Sequence, residues 1–141
     1  MTTFLLKTEP GTYAYADLVR DKRTVWDGIT NNAALAALRT ARAGDEAFIY
    51  HTGDEKAIVG LARITKAAYP DPKQPALNSA GEPKFPVVEL APVRPAKTPL
   101  TLAQVKADRR FAAFSLVKQS RLSVMTVPEP LDKLIRSLCG L

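Results

Sequence analysis

Eight of the eleven prolines in this 141-residue chain fall between Pro70 and Pro99. Proline has no backbone N–H and locks φ at about −65°, so no long helix can pass through that region. What remains there is irregular loop, or strand that carries proline at its margins or along an uncovered edge. Residues 71–84 therefore read as an exposed loop, and Phe85–Val93 as a strand with proline at its margins. Helices must lie on either side of this block.

Ahead of the block, Thr3–Lys7 is a short apolar strand ended by the turn signal Glu9-Pro10-Gly11. Thr12 is placed to cap a short helix with Tyr15, Leu18 and Val19 at helical spacing. Thr24-Val25-Trp26 is a β-branched and aromatic run that stops at Asp27-Gly28. Asn31 or Asn32 is an N-cap for an alanine-rich helix running to Arg42, with Gly44 as the left-handed residue that ends it. Ala47–His51 and Ala57–Thr65 read as strands joined by a hairpin turn at Thr52-Gly53-Asp54-Glu55. After the block, Thr101 and Gln104 have capping-box spacing and open a helix through Ala107 toward Phe111. Ser120–Val127 reads as a strand, and Leu131, Leu134, Ile135 and Leu138 make one apolar stripe on a last helix ended by Gly140. So many strands joined by tight turns exclude a doubly wound parallel sheet. The expected fold class is α+β, a mixed and mainly antiparallel β-barrel with peripheral helices, in a single domain over residues 1–141.

Apolar residues at 46% and charged residues at 24% are those of a globular chain and exclude disorder. No apolar run approaches the roughly 18 residues that a membrane span needs. The first seven residues are too brief for a secretory signal and lack a basic n-region, so a cytoplasmic location is expected. One cysteine, Cys139, excludes an internal disulfide and a thiolate metal cluster, and one histidine, His51, argues against a His-rich metal site. The net charge of +6 is unevenly placed. Residues 1–93 hold eleven basic and eleven acidic side chains, whereas nine basic residues from Arg94 onward face only Asp108, Glu129 and Asp132. Such a basic sector is what a polyanion requires, because each neutralised phosphate releases counterions; it also serves solubility alone.

No serine sits in a nucleophile-elbow sequence, and no Gly-rich phosphate loop occurs. His51 reads as an imidazole at the start of a hairpin, and Cys139 as a packing residue. No catalytic constellation and no cofactor is implied. The one arrangement with recognition chemistry is Val25-Trp26-Asp27-Gly28-Ile29-Thr30-Asn31-Asn32. It sets the only tryptophan before a glycine turn and a helix N-terminus. An indole face stacks on a base, and an asparagine amide both donates and accepts at a base edge. The alternative is that Trp26 fills the core and Asn31 only caps the helix.

Several segments, taken in order, resemble the EVE domain family. They are Lys7-Thr8-Glu9-Pro10, Val25–Asn31, Gly44-Asp45 with Phe48–Thr52, Ile58–Ala62, Ala68–Pro72, Pro99–Leu102 with Val105-Lys106, and Leu116–Val124. The resemblance runs along about nine-tenths of the chain. It implies a PUA-like barrel related to YTH domains. It also implies a non-catalytic reader of modified nucleobases, chiefly modified cytosines in DNA, with a pocket partly walled by aromatic side chains. Carried over to this sequence, Trp26 is a pocket wall, Asn31 a polar contact, and Tyr50 a second wall or a hydroxyl. Lys7 and Thr8 lie at the pocket mouth, while Ser115, Lys118 and Arg121 face the base or neighbouring phosphates. One departure stands out. Where the family pattern after Trp-Asp-Gly runs Val-Arg-Asn-Tyr-Gln-Ala-Arg, this chain has Ile29-Thr30-Asn31-Asn32-Ala33-Ala34-Leu35. That implies a smaller, less basic wall.

The expected partner is thus nucleic acid carrying a modified base, DNA ahead of RNA, with no metal, cofactor or membrane. The rival readings are an RNA-binding accessory module, and a small-molecule enzyme or sensor using the same cavity with His51 as proton carrier.

Overall fold

In the computed structural model, which describes residues 1–141, the chain opens with β1 (Thr3–Thr8), α1 (Tyr15–Asp21), β2 (Thr24–Trp26) and α2 (Asn32–Arg39). The hairpin strands β3 (Glu46–His51) and β4 (Ala57–Pro70) follow, then β5 (Pro86–Thr101) and α3 (Leu102–Ala107). A 3-10 turn (Arg109–Phe111), α4 (Ser115–Lys118), β6 (Val124–Thr126) and α5 (Glu129–Cys139) complete it. The six strands form one curled sheet in the order β2-β5-β4-β3-β1-β6. Only β1 with β3 is parallel; the other pairings are antiparallel. The expected mixed, mainly antiparallel barrel is present as a half-barrel, open along a seam between the edge strands β2 and β6.

The sheet is buried on both faces. Phe4 and Leu6 of β1 join Ile49, Ile64, Leu90 and the α2 residues Ala34 and Leu38 in one apolar cluster. Leu5, between them, points the other way to Phe48, Leu61, Phe111 and Ile135. This explains why β1 and β3 read as continuous apolar runs instead of alternating ones: each successive side chain has a core to enter. All six residues of β3 are buried.

The proline block behaves differently from expectation at its edges. β4 continues to Pro70 and β5 to Thr101, so both strands outrun the expected ends at Thr65 and Val93. Pro92, Pro95 and Pro99 are accommodated for a topological reason. β2 covers β5 only from Val88 to Leu90, so the remainder of β5 has no strand on its second side. An absent N–H costs little where no ladder partner waits for it. Register shifts along β4 and β5 absorb the irregular pairing. Residues 71–84 form turns and a single bridge, Leu77 to Pro83, and are mostly exposed.

Other corrections are local. α1 is opened by Asp17, whose carboxylate accepts the Ala14 N–H at 2.8 Å, and not by Thr12. Val19 is exposed. α2 stops at Arg39, and Gly44, with φ of 94°, turns the chain into β3, where its N–H donates to the Ile64 carbonyl. Of the expected strand Ser120–Val127 only Val124–Thr126 pairs, because α4 and a turn use the preceding residues. Leu138 faces solvent, and Cys139 takes its place in the core with Ile135. The capping box at Thr101 is formed as expected: the Thr101 hydroxyl accepts the Gln104 N–H at 3.2 Å, and the Gln104 side chain accepts the Thr101 N–H at 2.9 Å.

Candidate base-binding cleft

The seam between the two sheet edges opens into a cleft of about 660 Å³. β2 supplies one wall through Thr24, Val25 and Trp26, and the following turn continues it through Asp27, Gly28 and Ile29. The opposite wall is the end of β1 with Arg121 and Ser123. These two segments are held together by the Ser123 carbonyl, which accepts the Lys7 N–H at 2.9 Å.

Trp26 has a double role. Its side chain belongs to the core cluster under α2 and is only 8% exposed, yet it borders the hollow. Tyr13 meets it edge to face, with ring centroids 6.3 Å apart and planes at 80°, a favourable geometry for two aromatic quadrupoles. Tyr13 is fixed at both ends. Its hydroxyl donates to Asp21 at 2.9 Å, and its carbonyl accepts the Thr8 hydroxyl at 2.7 Å. Burial, with hydrogen bonding to Asp21, holds the Tyr13 phenol above its ordinary range, and the Thr24 hydrogen bond opposes this. Asn31 caps α2, its side-chain oxygen accepting the Ala34 N–H at 3.0 Å. The cap uses the oxygen; the amide nitrogen has no partner in the chain, and the residue borders the cleft. Asp27, also exposed there, is free of ion pairs and hydrogen bonds.

Arg121 is exposed, with no carboxylate partner, beside the cleft. Lys118, equally unpaired, sits in a shallower groove with Asn31, Ala33 and Arg121. By contrast Arg110, Lys133 and Arg136 of the same basic third are paired with acids. Lys7 and Thr8 border the Trp26 cleft. Two residues assigned to the same pocket lie elsewhere. Tyr50 pairs in register with Lys7 on the opposite face of the sheet and opens into a different cleft. Ser115 begins α4 and lines no cleft. The reason is strand alternation, which sends Lys7 and Tyr50 to one face and Thr8 to the other.

His51 is buried between α1 and the hairpin. Its Nε2 accepts the Tyr15 N–H at 3.0 Å, so Nδ1 carries the proton toward Glu55 at 2.7 Å. It borders none of the clefts. Tyr13 and Asp27 are among the cleft residues that the sequence did not reveal, with Glu9, Thr12, Thr24 and Ser123. Asp27 stood within the recognised segment but read only as a strand stop, and nothing local marks Tyr13 as Trp26's neighbour.

A curled, mixed half-barrel with a cleft at its open seam and helices packed outside defines a PUA-like α+β domain. The chain belongs to the EVE domain family, whose profile matches residues 2–138. It is 32% identical over 123 residues to thymocyte nuclear protein 1 of Gallus gallus, covering 73% of this chain and 51% of that protein. The chain spans about half the length of the curated relatives it matches. Among solved structures, Rpa0253 from Rhodopseudomonas palustris superimposes with a TM-score of 0.88 at 38% identity, covering 99% of this chain and 94% of that one. Human THYN1 in complex with 5-methylcytosine-containing DNA superimposes with a TM-score of 0.87 at 29% identity, covering 98% and 97%.

Proposed function

We propose that this protein binds DNA carrying a modified cytosine and takes the base into the Trp26 cleft. The observation that carries the reading is the human THYN1 complex with 5-methylcytosine-containing DNA, whose fold matches this one along nearly the whole chain. The chemistry of the cleft agrees with it. The Trp26 and Tyr13 rings offer apolar surface to a flat heterocycle, and stacking is worth about 1–3 kcal/mol per base. The unpartnered Asn31 amide is a donor for the cytosine carbonyl or ring nitrogen, and the Asp27 carboxylate is an acceptor for its exocyclic amine. A modifying methyl group is selected by fit against the Ile29 and Trp26 side, which discriminates by about 1–3 kcal/mol. Arg121 and Lys118 supply phosphate neutralisation at the rim.

The small side chains Thr30 and Ala33, where the family pattern carries larger polar ones, leave this wall open. The test is a titration of matched oligonucleotides with cytosine or 5-methylcytosine against wild type and Trp26→Phe. Wild type is expected to prefer the methylated strand by roughly tenfold. The variant, which keeps an aromatic core residue, is expected to lose most of that preference. Equal affinity for both strands in both proteins would refute the reading.

A further inference from the structure

On the face of the sheet opposite Trp26, a second cleft of about 330 Å³ is lined by Lys7, Tyr50, Thr52, Lys56, Lys106 and Ser120 among others. Three separate elements bring the three lysines together: the end of β1, the β3–β4 turn and α3. None has a carboxylate within ion-pair distance. Asp54 and Glu55 share a neighbouring groove with Lys56 and Lys106, and Glu55 is held by His51. The Lys7 ammonium is half-buried, donates to the Ser120 carbonyl at 3.0 Å and lies 5.7 Å from the Tyr50 ring centre. Burial lowers its pKa, the signature of a cation still lacking a counter-charge.

Tyr50 is the second, independent sign of a ligand. It is 97% buried, at 3% exposure, and its hydroxyl has no hydrogen-bond partner in the chain. No fully buried side-chain nitrogen or oxygen is left without a partner, so the part of Tyr50 that remains open is that hydroxyl, in the residue that lines the cleft. A tyrosine hydroxyl open only to a hollow ringed by three ammonium groups without ion pairs and the Ser120 hydroxyl is a receptor for an oxyanion, while the Thr52 hydroxyl on the rim is already used by the Thr8 carbonyl at 3.3 Å and Glu9 at 3.4 Å. The apolar floor of Leu102, Leu116 and Val117 lowers the local dielectric and strengthens such contacts. Lys7 borders both clefts, so an anion held here sits next to whatever occupies the Trp26 side.

We infer that the Tyr50 cleft is a phosphate subsite, filled by a phosphodiester of the same strand whose base enters the Trp26 cleft. The strand assignment rests on the proposed base-binding function; the oxyanion chemistry does not. The site predicts a division of labour: Trp26 reads the base, and Lys56 and Lys106 hold the backbone without regard to sequence or methylation.

Binding of cytosine and 5-methylcytosine oligonucleotides is measured across salt concentration for wild type, Lys56→Ala/Lys106→Ala, Tyr50→Phe and Trp26→Phe. Melting curves check the fold of each. The double lysine variant should bind both oligonucleotides about tenfold more weakly at moderate salt, keep the wild-type methyl preference, and show a shallower salt slope by about 1. Tyr50→Phe, which keeps the ring, should weaken both oligonucleotides about equally. An unchanged slope and affinity in the double variant would overturn the subsite. Failure of the base reading appears separately, as loss of methyl preference in wild type with the lysine effect intact. Calorimetric titration with inorganic phosphate distinguishes the source. Binding at micromolar concentration without DNA would assign the cleft to a free phosphate compound and overturn the strand assignment.

Discussion

Asn31 caps α2, and the base contact proposed for it rests on the other half of the same amide. Its oxygen is the cap while the residue borders the cleft, so an alanine substitution would mix a stability loss with a binding loss. Serine separates them, because it caps about as well as asparagine but has no amide. Asn31→Ser should leave thermal stability within about 0.5 kcal/mol of wild type, measured by denaturation, and reduce affinity for the methylated strand. Unchanged affinity would make Asn31 a cap and nothing more. Cys139 is the counterexample of a reactive residue type with only a packing role. It is fully buried, and burial pushes its thiol up to about 11 from 9.0, with the Leu100 backbone contact opposing. The folded state therefore keeps its thiol proton in a range where the unfolded chain has lost it. Stability should fall as pH rises from about 9 to about 11, by roughly 2–3 kcal/mol in all. Cys139→Ala should flatten that part of the pH–stability curve, and the thiol of the native protein should resist alkylation at neutral pH.

Among the elements, α1 depends on a contact that no local pattern reveals. The Tyr15 ring packs against Gly60 of β4, so that a Cβ on Gly60 would stand 2.5 Å from ring carbons, and the Tyr15 hydroxyl donates to the Leu61 carbonyl at 2.7 Å. Gly60→Ala should destabilise the protein by about 1–3 kcal/mol through overpacking, read as a lower melting temperature. At the other end of the molecule, α5 is tied to the sheet by Arg136, which donates to Asp132 at 2.7 Å and to Glu46 of β3 at 2.8 Å, while Asp132 accepts the Thr3 hydroxyl. Arg136→Ala leaves the nearly buried Glu46 carboxylate with only the longer Arg63 contact, and should cost roughly 2–3 kcal/mol in denaturant unfolding. Elements governed by local chemistry were legible in the sequence: the Thr101 capping box, the Gly53 hairpin and the strand stop at Asp27-Gly28 each depend on neighbours within a few residues. Strand lengths were not. Pro92 and Pro95 end a strand or continue it depending on whether another strand lies alongside, and that is decided by residues 24–26, more than sixty positions away.

For the molecule as a whole, the open seam governs access. The cleft lies between two sheet edges and its Trp26 wall is nearly buried, so under the proposed function a base has to leave the duplex stack to enter it. Eversion costs a few kcal/mol. The same 5-methylcytosine should consequently bind more tightly in a single strand or opposite a mismatch than in a matched duplex, by about tenfold or more in an anisotropy titration. Equal affinities would mean that the base is not extracted. The sequence by itself determined the α+β class, the mixed sheet, the family and the tryptophan–glycine–asparagine segment, because periodicity, caps and turn residues act over short distances and survive without a fold. Only the tertiary structure decided that Tyr50 and Trp26 stand on opposite faces, that Tyr13 meets Trp26 edge to face beside the cleft, and which cations lack a counter-charge. Those facts depend on pairing between distant strands, where a shift of one position sends a side chain to the other side of the sheet.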